Sequence, residues 1–445
     1  ADIYPLAPLQ EGIFFHHLMT EGDATDVYLL PRILGFGGRP ELDAFLGALQ
    51  QVVDRHDVYR TAIAWQNLRE PVQVVHRHAT LPVTEVTPDQ LHAAATGGRL
   101  PLDHAPLLSV HIAPEPDGGW LALLRMHHLV QDHTALDIVL DEIRTILAGA
   151  TDHLPPPVPF RDFVAQARLG VSRAEQERYF AGLLGDVTET TAPYGLADVT
   201  NDGTASVRAE VELDAALAAR LRDLARDRGV SPATVFHLAW ARVLAAVADR
   251  EDVVFGTVLF GRMASGARRV PGLFMNTLPV RVRLSGTAAE ALGQVRDRLA
   301  ELMAHEHAPL ALAQQASGLP AGSPLFTSLF NYRYARPPAA TPDDPLAGVR
   351  TLFAWERNNY PVTVSIDDDG TGFAVTVDVV APADADEVVR LLRTTLTRLA
   401  AALERTPEMP VADVRPGRVS RPAAGRAVLV PVPAGERATG AGRAP

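Results

Sequence analysis

Apolar residues around the middle of the first half of the chain follow two periods, one typical of strands and one of helices. From Gly119 to Met126 the side chains alternate between two largely apolar faces, which predicts a strand buried on both sides. After a short polar turn, apolar residues return at helical spacing: Leu136, Val139, Leu140, Ile143 and Leu147. Asp132 and Thr134 stand where a helix N-cap would, so the sequence predicts a strand, a turn and a helix.

The rest of the first half predicts one further helix and a break. An apolar stripe from Glu41 to Asp54 predicts an amphipathic helix, followed by a short strand through Ile63. The proline-rich stretch at residues 151–159 cannot continue a helix, so we expect a boundary between two lobes just beyond it, near residues 170–172.

The second half alternates the same two kinds of element. Strands are predicted at Ser206 to Leu213, Val253 to Phe260 and Leu278 to Val282, and helices at Ala215 to Arg228, Ser231 to Ala248 and Ala288 to His305. This order predicts an α/β or α+β layered fold with lobes at residues 1–170 and 171–415. Residues 416–445, rich in Pro, Gly, Ala and Arg, are predicted to be a linker toward a following domain.

Composition narrows the possible functions. The chain has 445 residues, too many for one ordinary core, and a formal charge of −12 without a basic stripe, which argues against nucleic acid as a partner. It has no cysteine and no lysine, which excludes disulfides, thiolate chemistry and lysine Schiff bases. Without a signal peptide or an apolar run of roughly 18 residues, we expect a soluble, cytoplasmic protein that makes no membrane contact.

The predicted turn carries the candidate chemistry. His127, His128 and Asp132 lie within it, and an imidazole with an ordinary pKa near ~6.5 suits proton transfer at neutral pH. His127 has the opposite strand parity to His128, so it should point into the lobe, either to orient the turn or as an ordinary core histidine. A carboxylate at a helix start, such as Asp132, is more often structural than catalytic.

The same residues resemble the His-His-x-x-x-Asp-Gly signature of the condensation domains of nonribosomal peptide synthetases. His133 stands where that signature has glycine. Further stretches are similar to other motifs of the family, in the same order along the chain: YPLAPLQEG at residues 4–12, RHDVYRT at 55–61, GLFMNTLPVR at 272–281, HEHAPL at 305–310 and SPLF at 323–326.

The resemblance implies a role for each residue of the turn. His128 would be the base or the group that positions the attacking amine. Asp132 would form a buried ion pair with Arg60. His133 departs from the signature, and its side chain would narrow a channel that glycine leaves open, as a tunnel-lining or additional catalytic imidazole, or would point into a pocket without a function. Asn276 and Arg281 would organise the second-lobe strand.

The resemblance also implies a fold and a reaction. The fold would be a V-shaped pseudo-dimer of two chloramphenicol-acetyltransferase-like lobes. Donor and acceptor would arrive as thioesters on the phosphopantetheine arms of an upstream and a downstream carrier domain, with no cofactor or metal bound directly. The opening motif resembles the subtype that joins a D-configured donor to an L-acceptor, and an adenylation domain would follow the chain.

Three alternatives stay open on the sequence. The protein could be an epimerisation domain, which uses a related fold and the same histidine pair, or a catalytically silent recruitment domain. His128, Asp132 and His133 could also supply the two-histidine, one-carboxylate set of a non-haem iron site. Two further clusters, His16-His17 and His305/His307, could both be solvated, and His16-His17 lies in a segment similar to the family's entrance region, where it could contact a partner.

Overall fold

A computed structural model describes residues 2–19, 26–199, 205–261, 269–334, 344–354 and 358–420. The strands are β1 (Asp2–Pro5), β2 (Leu29–Phe36), β3 (Thr61–Ala64), β4 (Val72–Val75), β5 (Val83–Glu85), β6 (Leu108–Pro114), β7 (Trp120–His127), β8 (Val207–Glu212), β9 (Asp252–Phe260), β10 (Met275–Arg283), β11 (Ser328–Tyr334), β12 (Arg350–Ala354), β13 (Val362–Asp368) and β14 (Phe373–Val379). The helices are α1 (Pro8–Met19), α2 (Arg39–Arg55), α3 (Pro88–Thr96), α4 (His133–Leu147), α5 (Phe160–Leu169), α6 (Arg173–Leu184), α7 (Ala215–Asp227), α8 (Pro232–Ala248), α9 (Ala288–Ala304), α10 (Leu310–Gln315) and α11 (Ala385–Arg405).

The strands form one large sheet in each lobe and a small sheet in the first. The first-lobe sheet has the order β12-β2-β7-β6-β5, and the second-lobe sheet β10-β9-β11-β13-β14-β8. The small sheet has the order β1-β4-β3. The predicted layered α/β fold is confirmed.

Strand β7 is buried on both faces, as its alternation predicted. Leu124 and Met126 join the core packed by α2 and α4, whereas Leu121 and Leu123 join a smaller cluster that includes Leu91 of α3. The strand that ends at the candidate site is therefore held from both sides, which fixes where its last residues lie.

The core of the second lobe surrounds α8. Ser231 caps this helix by accepting the Thr234 N–H, and Pro232 is its first residue, as predicted. Trp240 is fully buried, and the helix is apolar on most of its circumference because other elements cover it.

Strand β12 departs from the predicted division at residue 171. It lies late in the chain but pairs antiparallel with β2, so the first-lobe sheet ends in a strand supplied by the second half. The segment before it also reaches the first lobe, since Leu346 joins that core and Asp344 lies 3.3 Å from Arg144. An edge strand with unpaired backbone groups accepts such an addition.

The predicted linker begins against α11. Arg390 donates to the Arg418 carbonyl at 2.8 Å, and the Ser420 N–H donates to Glu387 at 2.7 Å. Residues 416–420 therefore contact the second lobe, and the rest of the predicted linker, 421–445, lies outside the described residues.

In the described part of the chain, no single helix is long and apolar enough to cross a membrane. One pair, α7 with α8, meets the length and composition criteria only when taken together, across a bend of 108°.

Candidate active site

The predicted strand–turn–helix is confirmed. β7 ends at His127, a single 3₁₀ turn spans His128–Val130, and α4 begins at His133. Backbone hydrogen bonds hold both histidines: the His127 N–H donates to Leu107 at 3.0 Å and the His128 N–H to Tyr28 at 2.8 Å. The turn is thus fixed from two neighbouring strand ends.

Asp132 is the N-cap of α4, and it also joins the two lobes. One carboxylate oxygen accepts the Ala135 N–H at 2.7 Å, and the other accepts the Phe274 N–H at 3.1 Å. The residue is fully buried. The predicted N-cap position of Asp132 is confirmed, and its second partner belongs to the motif at residues 272–281.

Arg60 does not pair with Asp132, so that prediction is wrong. The Arg60 guanidinium donates to the backbone carbonyls of His76 and Arg77, the latter at 3.2 Å. The Asp132 oxygens are already used by backbone N–H groups, whereas Arg60 lies beside the end of β4, where carbonyls lack a strand partner. Arg60 therefore fastens the small sheet instead of the catalytic turn.

His127 points into the lobe, as its parity predicted, and binds a carboxylate that the sequence analysis missed. Its Nδ1 accepts the Leu129 N–H at 3.1 Å, so its Nε2 carries the proton and donates to Asp26 at 3.1 Å. His17 Nδ1 lies 2.5 Å from the same Asp26 oxygen. His17 is buried, so it is not solvated as the sequence allowed.

The charges of this cluster are set by burial and by hydrogen bonds. Burial raises the pKa of the Asp26 carboxyl, but hydrogen bonds from His127 and His17 outweigh it and hold that pKa well below its ordinary value. Burial lowers the pKa of the His127 imidazole, against the opposing effect of Asp26. An ionised Asp26 that accepts from a neutral His127 fits both directions.

His128 lies beside an aromatic wall contributed by both lobes. It is buried, with the Tyr28 ring edge-on at 6.5 Å. Burial raises the pKa of the Tyr28 phenol, and the nearby Tyr360 of the second lobe adds to the shift. Tyr360 in turn stacks on Phe326 at 5.7 Å. The second histidine of the pair is therefore at the junction of the lobes.

His133 is the first residue of α4 and is half-buried. Among the described residues, only Asn67, Tyr194 and Asp249 combine a side chain with a left-handed φ, so the backbone at position 133 does not require glycine. The backbone at this position accepts a side chain, and the tunnel-lining role of His133 stays a prediction.

The structure does not support the proposed iron site. Both Asp132 oxygens accept backbone N–H groups, and the histidine–carboxylate group whose ligand atoms converge in the described residues is instead His17, Asp26 and His127. There, Nδ1 of His127 accepts a hydrogen bond while Nε2 donates one, so this ring has no lone pair left for a metal ion. The donors favour a hydrogen-bonded cluster.

The second-lobe motif is shaped to reach Asp132. Gly272 has φ +139°, and a Cβ there would lie 2.7 Å from the Phe160 ring, so only glycine fits. Phe274 packs on Phe163 with 4.4 Å between ring centroids. The rings of Phe160, Phe163 and Phe274 therefore pack together and hold the loop where the Phe274 N–H contacts Asp132.

Asn276 and Arg281 organise the second lobe, as predicted. Asn276 donates to the carbonyls of Glu306 and Ala308 at 2.8 and 2.7 Å. Arg281 pairs with Asp186 and Asp252.

The histidines at positions 305 and 307 are half-buried, so they are not fully solvated as the sequence allowed. His305 stacks on Tyr179 with 4.0 Å between ring centroids, and His307 packs edge-on against Phe163 at 5.4 Å. Both rings therefore serve packing within the described structure.

Comparisons with known proteins agree with this geometry. Malpibaldin synthetase of Mortierella alpina is 46% identical over 428 residues, which cover 93% of this chain and 8% of the synthetase. The condensation domain of the monacolin K polyketide synthase MokA superposes with a TM-score of 0.71 at 18% identity, covering 93% of this chain and 99% of that domain. An X-domain in complex with OxyB, from teicoplanin biosynthesis, superposes at 0.69 and 18% identity, covering 94% and 97%.

These likenesses establish the predicted chloramphenicol-acetyltransferase-like fold. The chain spans less than a tenth of the length of malpibaldin synthetase and of malpinin synthetase, two of its relatives. The sequence profile of the condensation domain matches residues 1–415. The chain therefore belongs to the condensation-domain family of the nonribosomal peptide synthetases.

Proposed function

We propose that this domain forms an amide bond between two carrier-bound substrates. The observation that supports this most directly is the placement of His128 in a rigid turn at the junction of the lobes, beside aromatic residues from both. The amine of the acceptor attacks the donor thioester carbonyl, so a C–N bond forms and the C–S bond breaks. The amine's proton leaves through His128, and the released thiolate takes up a proton to become a thiol.

The remaining residues position His128. Asp132 caps α4 and binds Phe274, so it fixes the turn against the second lobe. His127, held by Asp26, occupies the interior behind the turn. Much of the rate acceleration then comes from bringing two tethered substrates together, and less from any one proton transfer.

The proposed substrates and partners are those of the family. The donor arrives on the phosphopantetheine arm of an upstream carrier domain and the acceptor on that of a downstream carrier, with an adenylation domain after this chain. The cofactor arm thus belongs to the carriers, and the site is cytoplasmic. The donor is D-configured at its reacting residue and the acceptor is L-configured, a proposal that rests on the opening motif at residues 4–12.

The test is intact-mass analysis of the acceptor carrier after the domain is mixed with loaded donor and acceptor carriers. Donors carrying D- and L-residues are run in parallel. We expect peptide on the acceptor, with faster transfer from the D-donor. Equal transfer from both donors would reject the stereochemical proposal while leaving amide formation intact.

The same experiment separates the alternatives. An epimerisation domain would change the configuration of a carrier-bound residue without adding mass to the acceptor. A recruitment domain would bind the carriers and produce neither change. The fold does not decide between these outcomes, because the X-domain in complex with OxyB shares it.

A further inference from the structure

Arg125 is a buried cation without an anionic partner in the described part of the chain. It lies on β7 and is 8% exposed. Its guanidinium makes one hydrogen bond, from Nη2 to the Gly97 carbonyl at 3.3 Å, and its buried Nε has no partner. No carboxylate of the described residues forms an ion pair with it, whereas the buried Arg281 has two.

Two further polar side chains beside Arg125 are also unsatisfied. Ser109 of β6 is the cross-strand neighbour of Arg125, and His111 follows two residues later on the same face. Ser109 Oγ and His111 Nδ1 are buried and lack hydrogen-bond partners in the described structure. Burial lowers the pKa of His111, and the nearby Arg125 charge lowers it further.

The backbone at Gly98 approaches the Arg125 guanidinium closely. Gly98 has φ +91°, and a Cβ there would lie 2.7 Å from Arg125 Nη2. The Gly98 carbonyl accepts the Asp26 N–H at 3.2 Å. The loop therefore approaches Arg125 from one side while tying it to the residue that binds His127.

A buried charge is normally compensated by an opposite charge, and an unmade hydrogen bond on a buried group is costly. Here a guanidinium N–H, a hydroxyl and an imidazole nitrogen share one face of two neighbouring strands, and each lacks a hydrogen-bond partner among the described residues. A planar guanidinium matches the two oxygens of a carboxylate or phosphate. We propose that Arg125, Ser109 and His111 form a binding site for an oxyanion, a carboxylate or a phosphate group.

The site adjoins the histidine cluster. Arg125 and His127 are two residues apart on the same face of β7, which places them about 6–7 Å apart along the strand. A bound oxyanion adds negative charge beside His17, Asp26 and His127 and favours protonation of the His127 imidazole. This site does not depend on the amide-forming reaction.

The test uses the whole chain with sodium phosphate and sodium acetate as probes, against sodium chloride at equal ionic strength. Wild type, Arg125→Met and the control Arg226→Met, which changes an exposed arginine of α7, are compared. We expect each oxyanion to raise the Tm of wild type and control, and to shift the His111 ring resonances saturably, with neither effect in Arg125→Met. An equal response of all three proteins, or none, would overturn the proposal.

Arg125→Met removes an uncompensated buried charge while keeping an apolar side chain of similar length, so the fold should survive. Ser109→Ala is the second variant, and it should weaken phosphate binding severalfold without abolishing it. Titrating His111 in the wild type reads binding directly and needs no variant.

The source of the oxyanion is read in a separate arm. Donor carriers loaded with aspartyl or asparaginyl residues differ only in that the side chain ends in a carboxylate or in an uncharged amide. A preference for the aspartyl donor that disappears in Arg125→Met identifies the ligand as part of the substrate. Phosphate binding without such a preference identifies a free anion, and in both cases the site stands.

Discussion

The carboxylate of Asp132 accepts a hydrogen bond from the backbone N–H of Phe274, 142 residues further along the chain. The same carboxylate caps α4 through Ala135. One side chain therefore ends a turn in the first lobe and fixes a loop of the second, so stability and lobe geometry depend on it together.

Asp132→Ala should lower stability and activity together. The lost cap costs about 0.5–2 kcal/mol, and the buried Phe274 N–H left without an acceptor about 1–3 kcal/mol. Asp132→Asn keeps a capping oxygen and should lose less. Urea denaturation of wild type and the two variants measures the loss in free energy of unfolding. An Asp132→Ala protein that is as stable as wild type yet inactive would contradict the structural role.

His127 should make the fold sensitive to mild acid. Its folded pKa lies below the unfolded value of ~6.5, so below that pH the unfolded chain binds a proton that the folded protein excludes. The unfolding free energy should fall as the pH drops below 6.5, by at most about 1.4 kcal/mol per unit from this residue.

His127→Gln should show a shallower slope between pH 6.5 and 5, measured by urea denaturation at each pH. The exposed His104 supplies the control, and His104→Gln should follow wild type. Asp26 causes a second decrease in the free energy of unfolding at lower pH. Because its pKa in the folded protein is depressed, its contribution to stability is lost only as the pH falls below about 4. Equal slopes for all three proteins above pH 5 would contradict the neutral state assigned to His127.

Gly272→Ala should disturb the loop that reaches Asp132. The new Cβ meets the Phe160 ring at 2.7 Å, and the backbone conformation is one that side chains avoid. We expect a loss of about 1–3 kcal/mol in stability and slower amide formation. Gly229→Ala is the matched control, since Gly229 also has a positive φ but open space around it. Equal effects of both substitutions on the reaction rate would show that the loop's position is unimportant.

His133→Gly should widen the range of substrates accepted if the imidazole lines the channel. His133 is the first residue of α4. Competition between small and bulky acceptors, followed by product mass, measures the change. An unchanged rate with an unchanged substrate range means that His133 has no functional role.

Local periodicity of apolar residues predicts the helices and strands whose hydrophobic patterns are strong. β7 was predictable because its alternating apolar residues are adjacent in the sequence. α8 was predictable because its N-cap Ser231 and its first residue, Pro232, directly precede an apolar helical pattern. β12 was not, because a five-residue edge strand with a mostly exposed pattern takes its identity from pairing with β2. Its partner lies in another part of the chain, where no local signal points to it.

The candidate site shows the same division. The turn and its cap follow from local sequence, whereas Asp26 was missed because its partner His127 is 101 residues away. The Arg60 pairing failed for a related reason: backbone N–H groups compete for the Asp132 carboxylate, and residue types alone do not reveal that competition.

The most direct test of the account is the single-turnover rate of peptide transfer between loaded carriers, for wild type, His128→Ala and His153→Ala. His153 is an exposed histidine outside the site and controls for the substitution itself. We predict that His128→Ala slows transfer about 10²–10⁴-fold, as expected for loss of a general base or of the group that positions the amine, while His153→Ala matches wild type. Transfer by His128→Ala at the wild-type rate would contradict the placement of the reaction at this turn.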